Sequence, residues 1–340
     1  MKQIVINQHY IPKSYLKNFG FLVNAKKKKW SLYAMENGGE IERRTTSNIC
    51  TVDYLYDLPL LEGEERQFIE HAYDKEVDRY FTEITEYCKN ESNVTLSQGM
   101  REKIVKSCLS LYYRTPKFVE LDETAWDEIQ KSSKEEQEEE WKWRKTQMLI
   151  EHLENFESLF KDKLNCGISV NKVESKWELI SSDNPVVIRK GAEELVNVLS
   201  PENITHIPLT PNLGISIMPS FNTDLFDTFQ RYSWDDDSVM INNYTMETMH
   251  QRFLIGTQKA LQTYLDESPF YKEPFQLDHP KILNLHEKAA ALAYLSQILE
   301  SNGGQITHEY KNAFYNFWKN IEAFRLDPNS KRHKRELDGM

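Results

Sequence analysis

Hydrophobic spacing changes twice along this chain. From about 64 to 164 apolar residues return every three or four positions. From 166 to about 220 they alternate, and from about 246 onward the helical spacing resumes. The expected fold class is α+β: mostly helical, with an N-terminal hairpin and a central, largely antiparallel sheet. The expected organisation is one large domain over 1–326 and a charged tail over 327–340. Within the domain, 1–62 is an N-terminal segment and hairpin, 63–165 helical, 166–220 the sheet and 221–326 helical again.

Particular residues set the elements. Lys29 to Met35 alternates around Trp30, Leu32 and Ala34, Asn37-Gly38-Gly39 supplies turn residues, and Glu40 to Thr46 returns, which predicts a hairpin over 26–46. Lys26 to Lys29 at its mouth read as a solvated strand start, with a small anion-contacting patch as the alternative. Ile69, Tyr73, Val77, Tyr80, Ile84 and Tyr87 share one face of a helix over 64–88. A second helix over 96–114 has capping-box spacing at Thr95 and Gln98 and a stripe of Met100, Ile104, Cys108 and Leu111, and Pro116 stops it. A third helical region spans 119–164, amphipathic through Leu149, Leu153, Phe156 and Phe160, with Trp141 and Trp143 expected to pack on a neighbouring helix.

Gly167–Val173, Lys176–Ile180, Pro185–Arg189, Thr205–Leu209 and Gly214–Met218 are the strand candidates. Pro208 and Pro211 cannot donate to a ladder, which places their segment at a sheet edge or in a loop entering a site. Further helices are expected at Met246, Met249, Phe253 and Ala260, then at Leu285 to Leu299, then at Tyr310 to Phe324.

The formal net charge is -11, which opposes long-range capture of phosphate polymers and leaves room for a local basic groove. Cys50, Cys88, Cys108 and Cys166 have no CxxC spacing, so reduced, buried thiols are expected in place of a zinc site or a disulfide framework. No signal-peptide pattern opens the chain, and no apolar stretch approaches membrane-spanning length. The expectation is a cytoplasmic protein with no membrane contact; oligomeric state stays open.

Two polar motifs stand among apolar residues. One is Asn7-Gln8-His9-Tyr10-Ile11-Pro12 with Tyr15, Leu16 and Phe19 after it; the other is Ser181-Ser182-Asp183-Asn184-Pro185. His9 has the side chain for a base, an acid or a metal ligand, and its structural alternative is an anchor for the N-terminus. Asp183, at the end of an apolar run, is placed to orient a histidine, take a proton or bind a metal; its alternative is an Asx-turn. Asn243 opens a helix on this reading, as its cap or with its amide in a site. Arg114, Ser182, Thr210 and Arg252 complete the set as candidate substrate contacts, although an arginine in a helical run is usually surface. No P-loop, GxGxxG, HExxH or GxSxG is present. His9 to Ser14 looks like the first strand of a ββα-metal nuclease over six residues only, with Gln8 where the acidic or histidine residue belongs.

Taken in order, these pieces resemble a bacterial family, the domain-of-unknown-function family numbered 4238. The likeness rests on His9, Tyr10, Ile11, Pro12, Tyr15, Leu16 and Phe19; on the hairpin; on Arg114, Thr115 and Pro116; on Ser182, Asp183, Pro185 and Val186; on Pro208 to Pro211; and on Asn243, over about 5–260. The departures are the charged stretch 131–140 and Asn242 beside Asn243. The resemblance implies that His9, Asp183 and Asn243 are not chance survivors. Some members look like single-gene antiviral defence proteins on prophages and related mobile elements.

Two expectations follow. In one the chain is a defence effector that hydrolyses a nucleic acid or nucleotide. His9 is then the base and Asp183 its orienting group or the ligand of a divalent metal. In the other it is a non-enzymatic sensor of a viral protein, and the same residues lock the N-terminus onto the sheet.

Overall fold

The first constraint on the fold is how the N-terminal motif is tied down. In the computed structural model, which describes residues 5–36, 39–90, 96–116, 119, 138–189, 204–218, 230–234 and 236–267, this motif forms a short ladder. Strand β1 (Asn7–His9) pairs antiparallel with β5 (Thr51–Asp53). Pro12, held extended at φ -55° and ψ 137°, starts the short helix α1 (Lys13–Leu16). Ile11, Tyr15, Leu16 and Phe19 are buried behind it. The described residues lie in the unit formed by 1–119, 136–192 and 201–272. The expected helices at Leu285 to Leu299 and Tyr310 to Phe324, and the tail 327–340, lie outside them, as do Thr95, Asn37 and Gly38.

The hairpin has a third strand. β2 (Phe21–Asn24), β3 (Lys29–Glu36) and β4 (Ile41–Thr45) form an antiparallel meander. Lys26 to Lys28 therefore occupy the β2–β3 turn and do not start a first strand. β4 lines one edge of β3, while β2 and β12 (Phe253–Gly256) share the other, and β7 (Ser181–Ser182) pairs beyond β12. A second sheet runs β11 (Gln230–Trp234), β6 (Gly167–Val173), β10 (Leu213–Met218), β9 (Ile204–Thr210), β8 (Val187–Arg189). It is antiparallel except where β11 joins β6. The strands thus come from both ends of the described chain as well as from 166–220. β8 pairs with Ile204 to His206 only. At Pro208 the ladder on that side has ended, which is where a residue without an amide proton fits.

Lys176–Ile180 is not a ladder strand; only Ser181–Ser182 is. The helix expected from Met246 to Ala260 is broken. α6 (Asp236–Met249) and α7 (Gln258–Glu267) flank β12, and Phe253 sits in the strand. Asn243 is mid-way along α6 and does not open it.

The helical layer comprises α2 (Phe68–Tyr73), α3 (Tyr80–Lys89), α4 (Gln98–Tyr113) and α5 (Glu138–Lys163). α4 is capped by Ser97, whose hydroxyl accepts from Met100 N at 3.2 Å, and its expected stripe is buried. Trp141 and Trp143 of α5 are exposed, against expectation. Between α2 and α3, Asp74–Asp78 forms a π-turn. Its wider turn takes one more residue than an α-turn, so the phase of the buried face slips. Ile69, Tyr73 and Val77 are buried as expected, but Phe81 and Cys88 then replace Tyr80 and Tyr87. Tyr80 lies under Arg79 and Lys103 at 4.8 and 5.2 Å instead.

That slip is measurable. Phe81→Ala is expected to destabilise by about 3–5 kcal/mol, and Tyr80→Ala by no more than about 1 kcal/mol. Urea unfolding of the two variants checks it; equal losses would contradict the π-turn register.

Candidate functional site

Three of the polar motifs meet at one phenol. Tyr15 sits one helical turn after Pro12, a spacing that points its side chain into the interior. Its hydroxyl donates to Pro208 O at 2.6 Å and accepts from Ser181 Oγ at 2.8 Å. The N-terminal motif, the strand ahead of Asp183 and the Pro208–Pro211 segment are thereby joined. Burial pushes the Tyr15 phenol well above its ordinary pKa, so it stays a neutral donor.

Arg114 makes a second junction at the end of α4. Its guanidinium is buried and bonds Asp78 of the π-turn. It also donates to His9 O at 2.6 Å and lies 4.7 Å over the Tyr73 ring. The Tyr56 hydroxyl donates to Arg114 O. Burial alone would lower the Arg114 pKa, but the Asp78 carboxylate and the Tyr56 phenol reverse this, and the group stays charged. Beside it, Gln8 bridges Asp57 at 2.9 Å and Tyr56 N at 2.7 Å, and Arg66 and Gln67 hold the same Asp57 carboxylate.

Asp183 is 1% exposed. Its carboxylate accepts from the amides of Gln251, Arg252 and Phe253 at 2.9, 2.7 and 3.2 Å, and its own amide donates to Phe253 O. It closes the turn from α6 into β12. Burial raises its pKa, while the Gln251 and Arg252 amides and the His250 imidazole pull it down. Tyr10 and Cys50 share a side-chain hydrogen bond, and burial followed by the nearby Asp183 charge raises the Cys50 thiol.

His9 is elsewhere. Its Nε2 meets Thr46 O at 3.3 Å, so Nε2 carries the proton. Burial, then Lys13, holds its pKa down at about 4 against the opposing Thr46 bond. His9 and Asp183 share no hydrogen bond; each is satisfied by separate main-chain groups. Asn243 Oδ1 accepts from Ile180 N at 3.0 Å, and Nδ2 donates to Glu178 O at 2.8 Å. It mimics a strand partner for the extended stretch before β7. Ser182 and Thr210 hydroxyls accept from the amides two residues on, as turn residues do. Arg252 is exposed, ion-paired with Glu36 at 2.6 Å and stacked on Phe253.

Sequence reasoning missed a buried polar row on the second sheet. Ser169 bonds Asn171 at 3.2 Å, Asn171 bonds Ser216 at 2.8 Å, and Ser216 Oγ lies 3.0 Å from His206 Nδ1. The signal was polar residues at alternate positions of β6, β9 and β10. Gly214 leaves room for the ring, since a Cβ there would lie 2.6 Å from His206 Cε1. A serine bonded to an imidazole is a nucleophile arrangement, but Ser216 and His206 are only 4% and 2% exposed.

Other features bound the chemistry. Among the described residues no three His, Cys, Asp or Glu side chains stand where they could hold a metal ion. All four cysteines are free and buried. A surface notch of about 230 Å³ is bordered by Glu36, Glu40, Glu42, Arg44 and Phe253, with no catalytic candidate in its lining. No helix of the described residues is long and apolar enough to cross a membrane.

The fold and its junctions define an α+β protein whose sequence motifs are buried hydrogen-bond knots. The model of the family described as Protein of unknown function (DUF4238) matches residues 7–259, and the chain belongs to that family. No curated protein and no solved structure matches it. The matched span runs from β1 into α7 and includes every knot described above.

Asp183→Asn retains shape but turns a donor toward the amides, so a loss of about 2–4 kcal/mol is expected. Denaturant unfolding at constant m-value measures it. Glu70 provides a pH test. Its Oε2 is buried without a hydrogen-bond partner. Burial raises its pKa from 4.5 to about 7, with Arg114 opposing and Asp78, Asp74 and Asp57 assisting. The folded state therefore keeps a proton that the unfolded state releases. The stability this gives is whole below pH 4.5 and is lost as pH rises through 7. Glu70→Gln should match wild type near pH 4.5 and exceed it by about 1–3 kcal/mol at about pH 8. A constant difference across that window would contradict the assignment.

Proposed function

We infer that this protein works by binding. It is a recognition protein of antiviral defence whose partner is a viral protein, and its polar motifs keep the recognition scaffold rigid. The observation that carries the reading is the surroundings of Asp183. Both carboxylate oxygens are taken by main-chain amides, and His9 is bonded to Thr46 O instead of to Asp183. The defence role itself rests on the family likeness.

A second reading has one observation in its favour. The His9 imidazole is kept neutral beside Lys13 and Arg114, the two cations that help depress it. A neutral base with cations near it suits an anionic substrate such as a nucleotide or nucleic acid. On this reading the protein is a hydrolase acting through His9.

One experiment separates them. Cells carrying wild type, His9→Gln, Tyr15→Phe or Asp183→Asn are infected with phage. Survival is scored, DNA, RNA and nucleotide pools are profiled, and the thermal midpoint of each purified protein is measured. Recognition predicts that no pool falls in proportion to protein dose, and that protection tracks the thermal midpoint across the three variants. A His9→Gln protein that melts with wild type yet loses both protection and the depletion of one pool would replace recognition with hydrolysis.

A further inference from the structure

Charge is segregated along this chain to a degree that its total conceals. Residues 1–35 contain seven lysines and no aspartate or glutamate, in a chain whose net charge is -11. Four of those lysines are exposed here, Lys26 to Lys28 in the β2–β3 turn and Lys29 at the start of β3, and Lys28 takes a φ of 48°. None of the four forms an ion pair among the described residues. Arg43, on β4, is also exposed and has no carboxylate partner among the described residues, with its guanidinium 5.3 Å from the Phe21 ring centre.

The strand beside this turn is unusual in a second way. Phe21, Leu22 and Val23 are 38%, 47% and 41% exposed, so both faces of β2 stay partly open to solvent. β2 ends its sheet, and among the described residues no strand pairs with its outer edge. Soluble proteins blunt such edges with charge, proline or a bulge on the strand itself. A register shift lies between Leu22 and Asn24, but Phe21-Leu22-Val23-Asn24 carries no charge and no proline. The lysines stand beyond the strand, where they frame the edge without blocking it.

We propose that the outer edge of β2 is a docking strand for an extended acidic polypeptide. The peptide would pair with the main chain of Phe21–Asn24 and lay its apolar side chains on Leu22 and Val23. Its carboxylates would meet Lys26 to Lys29 and Arg43. Strand addition draws affinity from main-chain hydrogen bonds and selectivity from alternate side chains; charge complementarity sets the partner's sign. A single-stranded nucleic acid would also find the lysines. It needs open aromatic faces for stacking, and the Phe21 ring is already flanked by Tyr33 at 5.5 Å and by Arg43. The aliphatic pair and the open strand edge favour the peptide. This inference rests on the recognition reading and names the surface and chemistry of the partner.

The test uses the full chain and a fluorescein-labelled peptide of alternating Glu and Val, with the Lys-Val counterpart and a uridine oligonucleotide as comparators. The Glu-Val peptide should bind and the Lys-Val peptide should not. Binding should weaken roughly tenfold on reversing Lys26 to Lys29 to Glu and fall again in about 0.5 M NaCl. Val23→Glu should weaken it as well, with both variants melting at the wild-type temperature. Amide NMR signals of Phe21 to Asn24 should shift on titration. Absence of Glu-Val binding, tight oligonucleotide binding in its place, or amide shifts confined to other strands would each overturn the docking strand. Infected cells distinguish the two levels. Full protection by the charge-reversed variant overturns this surface and leaves recognition standing, whereas dose-dependent loss of a nucleotide pool overturns recognition itself.

Discussion

One hydroxyl group holds together parts of the chain that are 166 and 193 residues apart in sequence. The Tyr15 phenol donates to Pro208 O and accepts from Ser181, with no water needed at either side. A buried phenol without partners is costly, on the order of a few kcal/mol. With both partners present, that cost becomes a condition on the fold. Tyr15 settles into the interior only when β7 and β9 are both in register. The aromatic contacts of Tyr15 with Phe19 and Phe81, at 5.6 and 5.3 Å, supply the apolar part of the same condition.

Arg114 imposes a parallel condition on the helical layer. Its charge is out of water, so Asp78 and the His9 carbonyl must be where they are. Asp78 reaches it from the π-turn, which explains a wide turn in an otherwise α-helical run. The two knots share the segment from Gln8 to Tyr15. Within that segment the His9 carbonyl meets Arg114 at the end of α4, and Tyr15 meets Phe81 of α3 as well as β7 and β9. The N-terminal motif is the joint between the layers, and its rigidity comes from polar groups that have nowhere else to bond.

Much of the fold was legible because periodicity reports burial directly. The α4 stripe, β6 and β10 were read from spacing alone. Where the reading failed, a local irregularity intervened. The stripe of 64–88 slipped because no spacing rule marks a π-turn at Asp74–Asp78. The run from Met246 to Ala260 kept a helical rhythm across β12, since Phe253 and Ala260 are buried whether or not a strand separates them. Lys176–Ile180 alternates like a strand but finds its hydrogen bonds in the Asn243 side chain, Pro211 O and Ser175 Oγ, and no sequence pattern announces that. The site residues were legible as residues that matter, less so in what they do. Tyr15 stands out only as part of a motif, because an isolated tyrosine carries no sign of its partners. The Ser169–Asn171–Ser216–His206 row needed strand register before it could be seen as continuous.

The direction in which burial moves the ionisable groups bears on what these motifs are for. A nucleophilic thiol or phenol is activated by lowering its pKa, through a nearby cation, a helix N-terminus or a metal. Here burial raises Cys50, Cys108, Tyr10, Tyr15 and Tyr56 alike. It raises Asp183 too, where the amide bonds resist it. Each group is pushed toward its neutral, hydrogen-bonding form or held by backbone amides that a substrate would have to displace. His9 moves down and stays neutral as well. The polar centre of the protein thus favours fixed hydrogen bonds over proton traffic. Lys26 to Lys29, at and beside the β2–β3 turn, carry exposed charge with no ion pair among the described residues. Rigidity inside and reachable charge outside is what the proposed recognition role requires.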